Sequence, residues 1–100
     1  MNYNEYEFKA KLWLYEGAAA WHFLTIPTQI SEDIKRNFGA LQRGWGSLPV
    51  RTSIGATTWE TSIFPDKKLQ AYLLPIKAEV RKKERVVVGD VVTVFLVVRE

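Results

Sequence analysis

Residues 6–15 alternate without a break: Tyr6, Phe8, Ala10, Leu12 and Leu14 fall on one side, Glu7, Lys9, Lys11 and Trp13 on the other. A period of two sustained over ten residues fits a half-buried strand and does not fit a helix. Similar short apolar or alternating runs recur at residues 21–26, 50–54, 57–64, 69–74 and 91–98, each bounded by turn-forming residues. Glu16-Gly17-Ala18-Ala19-Ala20 separates the first two, which should pair as a hairpin. Gly55 fits a tight hairpin turn between the third and fourth, and Gly89-Asp90 turns the chain into the last. Pro65-Asp66-Lys67 reads as a further turn, with Pro65 fixing φ at its first corner.

Two short helical segments interrupt the strands. Ser31 is placed to cap the first, with Glu32 and Asp33 in its opening turn, where the helix dipole favours anions. Ile30, Ile34 and Phe38 give that helix one apolar face, Lys35 and Arg36 fall in its last turn, and Gly39 is placed to end it. Pro75 suits the first turn of the second helix, whose inner face carries Ile76 and Val80. The final strand, residues 91–98, is apolar at nearly every position and is expected to be buried on both faces. Six short strands and two short helices in one hundred residues make a single, mainly β domain. The expected architecture is a small closed or nearly closed barrel.

Composition removes several function classes. The chain has no cysteine, which rules out disulfides, thiolate metal sites and a cysteine nucleophile. His22 is the only histidine, and no carboxylate cluster accompanies it, so no metal and no cofactor are expected. The N-terminus lacks a basic and apolar leader, and no run is long enough to span a bilayer, so a cytoplasmic location with no membrane partner is expected. Gly44-Trp45-Gly46-Ser47 lacks the Ser between two glycines that a nucleophile elbow needs. With no triad, dyad or phosphate-cradling fingerprint, catalysis is the minority expectation and no catalytic residue is assigned.

The net charge of +3 is concentrated. Between Ile76 and Arg85, five cations (Lys77, Arg81, Lys82, Lys83, Arg85) face two anions (Glu79, Glu84), so this segment accounts for the whole excess. Lys77 and Arg81, four residues apart, share one side of the second helix. They read either as an anion clamp or as solvated cations satisfied by Glu79, Glu84 or helix carbonyls. Four tryptophans are also present. Trp21, Trp45 and Trp59 are expected to fill the barrel, with Trp45 closing one end, whereas Trp13 falls on the polar face of its strand. His22 is expected to be structural.

Taken in order, Arg43-Gly44-Trp45-Gly46-Ser47, Thr61-Ser62-Ile63-Phe64-Pro65-Asp66, Tyr72-Leu73-Leu74-Pro75-Ile76-Lys77, Val80-Arg81-Lys82 and Gly89-Asp90-Val91-Val92 resemble the DUF1905 family, a domain of unknown function. The early Ala20-Trp21 strand ending in Pro27 fits as well, and Trp45 stands where the family usually has Phe. The resemblance implies a prokaryotic β-barrel of the double-split type, akin to the AbrB and MazE transcription factors. The resemblance also implies that such domains often precede a bacteriocin-protection-associated domain. Lys77 and Arg81 match the family's motif.

Three functions follow as expectations. The first is a non-catalytic barrel that binds an anionic or planar small molecule through Arg43, Trp45, Trp59, Ser62, Lys77 and Arg81. The second is a nucleic-acid-binding module, by analogy with related barrels and from the basic segment, although the charge is low for a DNA binder. The third is a structural or protein-interaction domain, for which Trp13 is the one suspect surface residue. A monomer or weak homodimer is expected.

Overall fold

The computed structural model describes residues 3–17 and 19–100. Ala18, which belongs to the expected turn at residues 16–20, lies outside the described residues, as do Met1 and Asn2. The strands are β1 (Glu5–Leu14), β2 (His22–Thr25), β3 (Leu48–Ile54), β4 (Thr57–Asp66), β5 (Ala71–Pro75) and β6 (Val91–Val98). They close into an antiparallel barrel of order β1-β2-β5-β4-β3-β6. Two helices, α1 (Thr28–Phe38) and α2 (Ala78–Glu84), complete the described fold, with short 3₁₀ turns at Gly39–Leu41 and Gly44–Gly46.

Closure depends on the two ten-residue strands. β1 pairs with β6 through residues 5–11 and with β2 through residues 12–14. β4 pairs with β3 through residues 57–63 and with β5 only through residues 64–66. Each long strand therefore passes from one sheet to the other, and every described strand has a neighbour on each side along part of its length. The strand directions place the helices at opposite ends. α1 follows the end of β2, beside the start of β1, and α2 follows the end of β5, beside the β3–β4 hairpin.

The core is filled by Leu12, Leu24, Val50, Ile63, Leu74, Val94, Leu96 and their neighbours, with Ile34 and Phe38 from α1 and Val80 from α2. The alternation of β1 is realised as far as Leu12: Phe8 and Leu12 are buried while Glu7, Lys9 and Lys11 are exposed, but Leu14, expected on the inner side, is exposed and Trp13 is half-buried. β6 departs from expectation. Its burial alternates, leaving Val91 at 61% and Phe95 at 52% exposure. A barrel wall one layer thick has only one inner face, and among the described residues no second layer covers the outer side of this strand.

Pro65, expected at a turn corner, and Pro75, expected in the first turn of the second helix, both lie inside strands. Pro65 pairs with Tyr72 in β4–β5 and Pro75 with Phe23 in β5–β2. Pro65 is tolerated because Tyr72 directs its peptide groups elsewhere: its N–H donates to Ser31 Oγ and its carbonyl accepts from the Ile26 N–H. The turn lies further on, where the Asp66 carboxylate accepts from the Leu69 N–H at 3.0 Å, an Asx-type closure. Leu69 is consequently an exposed turn residue, and β5 starts at Ala71. Ile76 and Val80 are buried as expected, although α2 begins only at Ala78.

Helix α1 begins at Thr28, three residues before the expected cap. Its N-cap is Pro27, and the Ser31 N–H already donates to the Pro27 carbonyl at 2.8 Å. Ser31 is buried in the first turn, so Glu32 and Asp33 fall beyond it. Gly39 follows the helix in a right-handed conformation and leads into a 3₁₀ turn, with no left-handed cap.

Asp33 ties this helix to the barrel by accepting from the Tyr6 hydroxyl at 2.7 Å. Burial and that hydrogen bond push the Tyr6 phenol up to about 12. A raised folded-state value means that the stabilisation is complete below the ordinary tyrosine range and is lost as pH rises through about 12. Chemical denaturation between neutral and strongly alkaline pH should therefore show a steep alkaline loss of stability that is shallower in Tyr6→Phe. Tyr72, raised by burial, and Tyr3, raised by its hydrogen bond to Glu100, act in the same direction. Some alkaline loss must therefore persist in the variant, and identical slopes would refute the assignment to Tyr6.

Candidate functional site

β5 has five residues and meets β4 only at residues 64–66. Beyond that pairing the two strands diverge. The gap lies at the α2 end, bounded by β4, the start of β2 and the segment leading from Pro75 into α2. It is a cavity of about 310 Å³ lined by Trp21, His22, Trp59, Thr61, Lys77 and Arg81, with Ala19, Ala20, Glu60, Pro75 and Ile76 completing the wall.

Three of the expected site residues, Trp59, Lys77 and Arg81, meet here. Trp59 is buried, at 8% exposure, and forms one wall from within the barrel. Lys77 stands at the N-cap of α2, and Arg81 lies one turn on. Arg81 Nε donates to the Ile76 carbonyl at 3.1 Å, and Nη1 lies 3.2 Å from His22 Nε2. A guanidinium can only donate, so Nε2 must accept. The His22 proton then sits on Nδ1, 3.0 Å from the Ala20 carbonyl. Both ring nitrogens are used, and His22 holds the arginine in place. Its contact with Arg81 spans 59 positions in sequence and leaves no local signal.

The carboxylates that could have satisfied these cations are committed elsewhere. Glu79 pairs with Lys83, Glu84 accepts from Thr57 Oγ1, and Glu60 pairs with Arg51 and Arg99 on the outer surface. Among the described residues, Lys77 and Arg81 have no ion-pair partner. Only Arg81 takes the helix-side carbonyl allowed for in the alternative reading.

The other three expected residues lie elsewhere. Arg43 and Trp45 belong to the loop at the α1 end, and Trp45 lines a separate groove with Lys35, Gln42, Pro65 and Gln70. Trp45 does not plug the barrel: it is 93% exposed. The loop closes on itself through Arg43 N–H to the Ser47 carbonyl, and the left-handed backbone of Trp45 and Gly46 (φ 66° and 77°) turns the ring outward. Ser62 lies opposite Pro49 in β4, outside the cavity lining.

Trp21 is half exposed and does not fill the barrel either. It stacks on Phe23 at 5.9 Å with rings 6° apart, and Phe23 also meets Trp13 at 5.4 Å and Tyr15 at 6.4 Å. Trp13 is thus one member of an aromatic group on the outer face of β1 and β2, and its indole N–H donates to Thr25 Oγ1. The Tyr15 ring, edge-on to Phe23, lies close over Gly17, where a Cβ would collide with it. Further exposed apolar residues, Val87, Val88, Val91 and Phe95 among them, show that Trp13 is not the lone surface suspect.

Fold and site together define a small closed antiparallel barrel with an uncompensated cationic cleft beside α2. The chain belongs to the family described as Domain of unknown function (DUF1905), whose model matches residues 8–96. No curated protein matches the sequence. Among the described residues no helix is long and apolar enough to cross a membrane.

Proposed function

We propose that this barrel is a non-catalytic binding module for a small molecule carrying an anionic group, taken up in the cleft between β4, β2 and α2. The observation that carries this reading is the convergence of Lys77 and Arg81, both without a carboxylate partner among the described residues, on one partly apolar cavity. Arg81 is pre-positioned by the Ile76 carbonyl and by His22, so its remaining N–H donors reach an anion with little side-chain entropy left to lose. Trp59 and Trp21 supply flat apolar walls for the rest of the ligand. Binding is favoured over turnover because the one histidine has both nitrogens engaged.

A small ligand is favoured over a nucleic acid because the basic residues diverge. Lys83 is paired with Glu79, while Lys82 and Arg85 line a second trough beside Val86 and Val87, which only Arg81 shares with the cleft and Lys77 does not reach. They do not form the continuous stripe that tracks a phosphate backbone.

Amide NMR titration with inorganic phosphate and with acetate should shift residues around Lys77, Arg81, His22 and Trp59. Arg81→Gln should weaken binding by about 10- to 100-fold, the worth of a charge-assisted hydrogen bond, and Lys77→Gln by less. His22→Gln, which can keep an acceptor near Arg81, should bind better than His22→Ala. Unchanged affinity in the Arg81 variant would remove the cleft as the anion site.

A further inference from the structure

The cleft offers a hydrogen-bonding group that no side chain reveals. In the β3–β4 ladder, Val50 pairs with Thr61, Arg51 with Glu60 and Thr52 with Trp59. The Pro49 carbonyl accepts from the Arg99 N–H on the β6 side, and β3 residues of the same parity turn their peptide groups toward β6. The bonds between β3 and β4 therefore belong to Val50–Thr61 and Thr52–Trp59, because bonded and non-bonded pairs alternate along an antiparallel ladder. Thr61 and Trp59 spend their peptide groups on β3. Glu60, between them, turns its N–H and C=O to the other side, into the gap where β4 and β5 have separated. Among the described residues no bond to either group is found outside the strand ladders, and the alternation gives them none to β3, although Glu60 lines the cavity. Its carboxylate is outside, with Arg51 and Arg99.

We infer that the cleft receives the C-terminal end of a peptide. The terminal carboxylate meets Lys77 and Arg81, the preceding peptide group pairs with the Glu60 N–H and C=O as one added step of strand, and an apolar terminal side chain lies against Trp21 and Trp59. This rests on the anion-site reading and adds the chemistry attached to the anion. An unpaired strand edge is complementary to an extended backbone, and a donor and acceptor on one residue match the acceptor and donor of a peptide unit. The cavity, about 310 Å³, has room for a terminal residue and the peptide group before it, so specificity is confined to the chain end.

The test compares N-acetyl-Ala-Phe as the free acid, the same dipeptide as its C-terminal amide, and acetate, by calorimetry and amide NMR. The free acid is expected to bind about tenfold or more tighter than either control and to slow hydrogen exchange at the Glu60 amide. Glu60→Pro removes the N–H at a gap-facing strand position where proline is tolerated. It should bring the free acid down to the affinity the same variant shows for acetate, whereas Glu60→Ala, which loses the carboxylate and keeps the N–H, should retain the advantage. If the proline variant fails to fold, Glu60 exchange in the native protein decides the matter. Free acid no tighter than acetate, with acetate still displaced by Arg81→Gln, overturns the peptide assignment and leaves the anion site standing. Failure of all three probes overturns both.

Discussion

Trp59→Ala is expected to destabilise the barrel by about 3–5 kcal/mol, the usual cost of removing a buried tryptophan and leaving a void. A domain of this size has roughly 5–15 kcal/mol of stability in total, so the variant should be partly unfolded under mild denaturant. The size of the effect follows from position. Trp59 is 8% exposed and sits opposite Thr52, which is 1% exposed and anchored through its hydroxyl to the Phe95 carbonyl. The hole opened would lie between the barrel core and the cleft, where neighbouring strands are held by their ladders and cannot collapse inward. Trp59→Phe retains most of the apolar volume and should cost about half as much or less. Urea denaturation of the two variants provides the measurement, and a loss below about 1 kcal/mol for alanine would mean that the ring does not seal the core. Phosphate binding by Trp59→Phe should survive, because the charges that hold the anion come from α2 and its N-cap.

Ser31→Ala removes a single oxygen and is expected to cost about 2–4 kcal/mol. Ser31 is 3% exposed. Its hydroxyl donates to the Ile26 carbonyl and accepts from the Tyr72 N–H, each at 3.0 Å. The hydroxyl thus replaces one rung of ladder where β2 has ended and α1 begins. Every buried side-chain nitrogen and oxygen among the described residues has a partner. The alanine variant leaves a buried N–H and a buried carbonyl without theirs, which costs more than the loss of the bonds themselves. Gln29→Ala, at an exposed position in the same helix turn, should stay within about 0.5 kcal/mol of the parent. Hydrogen exchange gives the sharper readout: the Tyr72 amide should accelerate selectively in Ser31→Ala. Equal stability of the two alanine variants would show that the hydroxyl contributes nothing beyond helix propensity.

The cleft was half visible in the sequence. Lys77 and Arg81 were found because four residues bring two side chains to one side of the chain as it enters a helix, whatever lies around them. Trp59 was found because alternation places it on the inward face of β4 with Thr61 and Ile63. Arg43, Trp45 and Ser62 lie in segments that carry the family resemblance and have fitting chemistry, but the barrel assigns the first two to the opposite end and leaves Ser62 outside the cavity lining. His22 as the support for Arg81, and the Glu60 peptide groups, had no sequence signal. One depends on a contact between distant segments, and the other on which residues of β4 find no strand beside them.

By itself the sequence determined the elements: six strands from their period of two, the hairpin turn at Gly55, the turn at Gly89-Asp90, the apolar face formed by Ile30, Ile34 and Phe38, and the family. These are local properties, set by side-chain alternation and by backbone torsion at single residues. Tertiary structure decided what each face and edge meets. Pro65 and Pro75 could enter strands because their neighbours' peptide groups turn elsewhere, and Ser31 became an internal hydrogen-bond bridge where a cap was expected. The apolar outer side of β6 stayed exposed because among the described residues no second layer covers it. Strand order, a property of the whole closed barrel, fixes which groups meet, and among the described residues it left Lys77 and Arg81 without a carboxylate, beside the part of β4 that β5 does not reach.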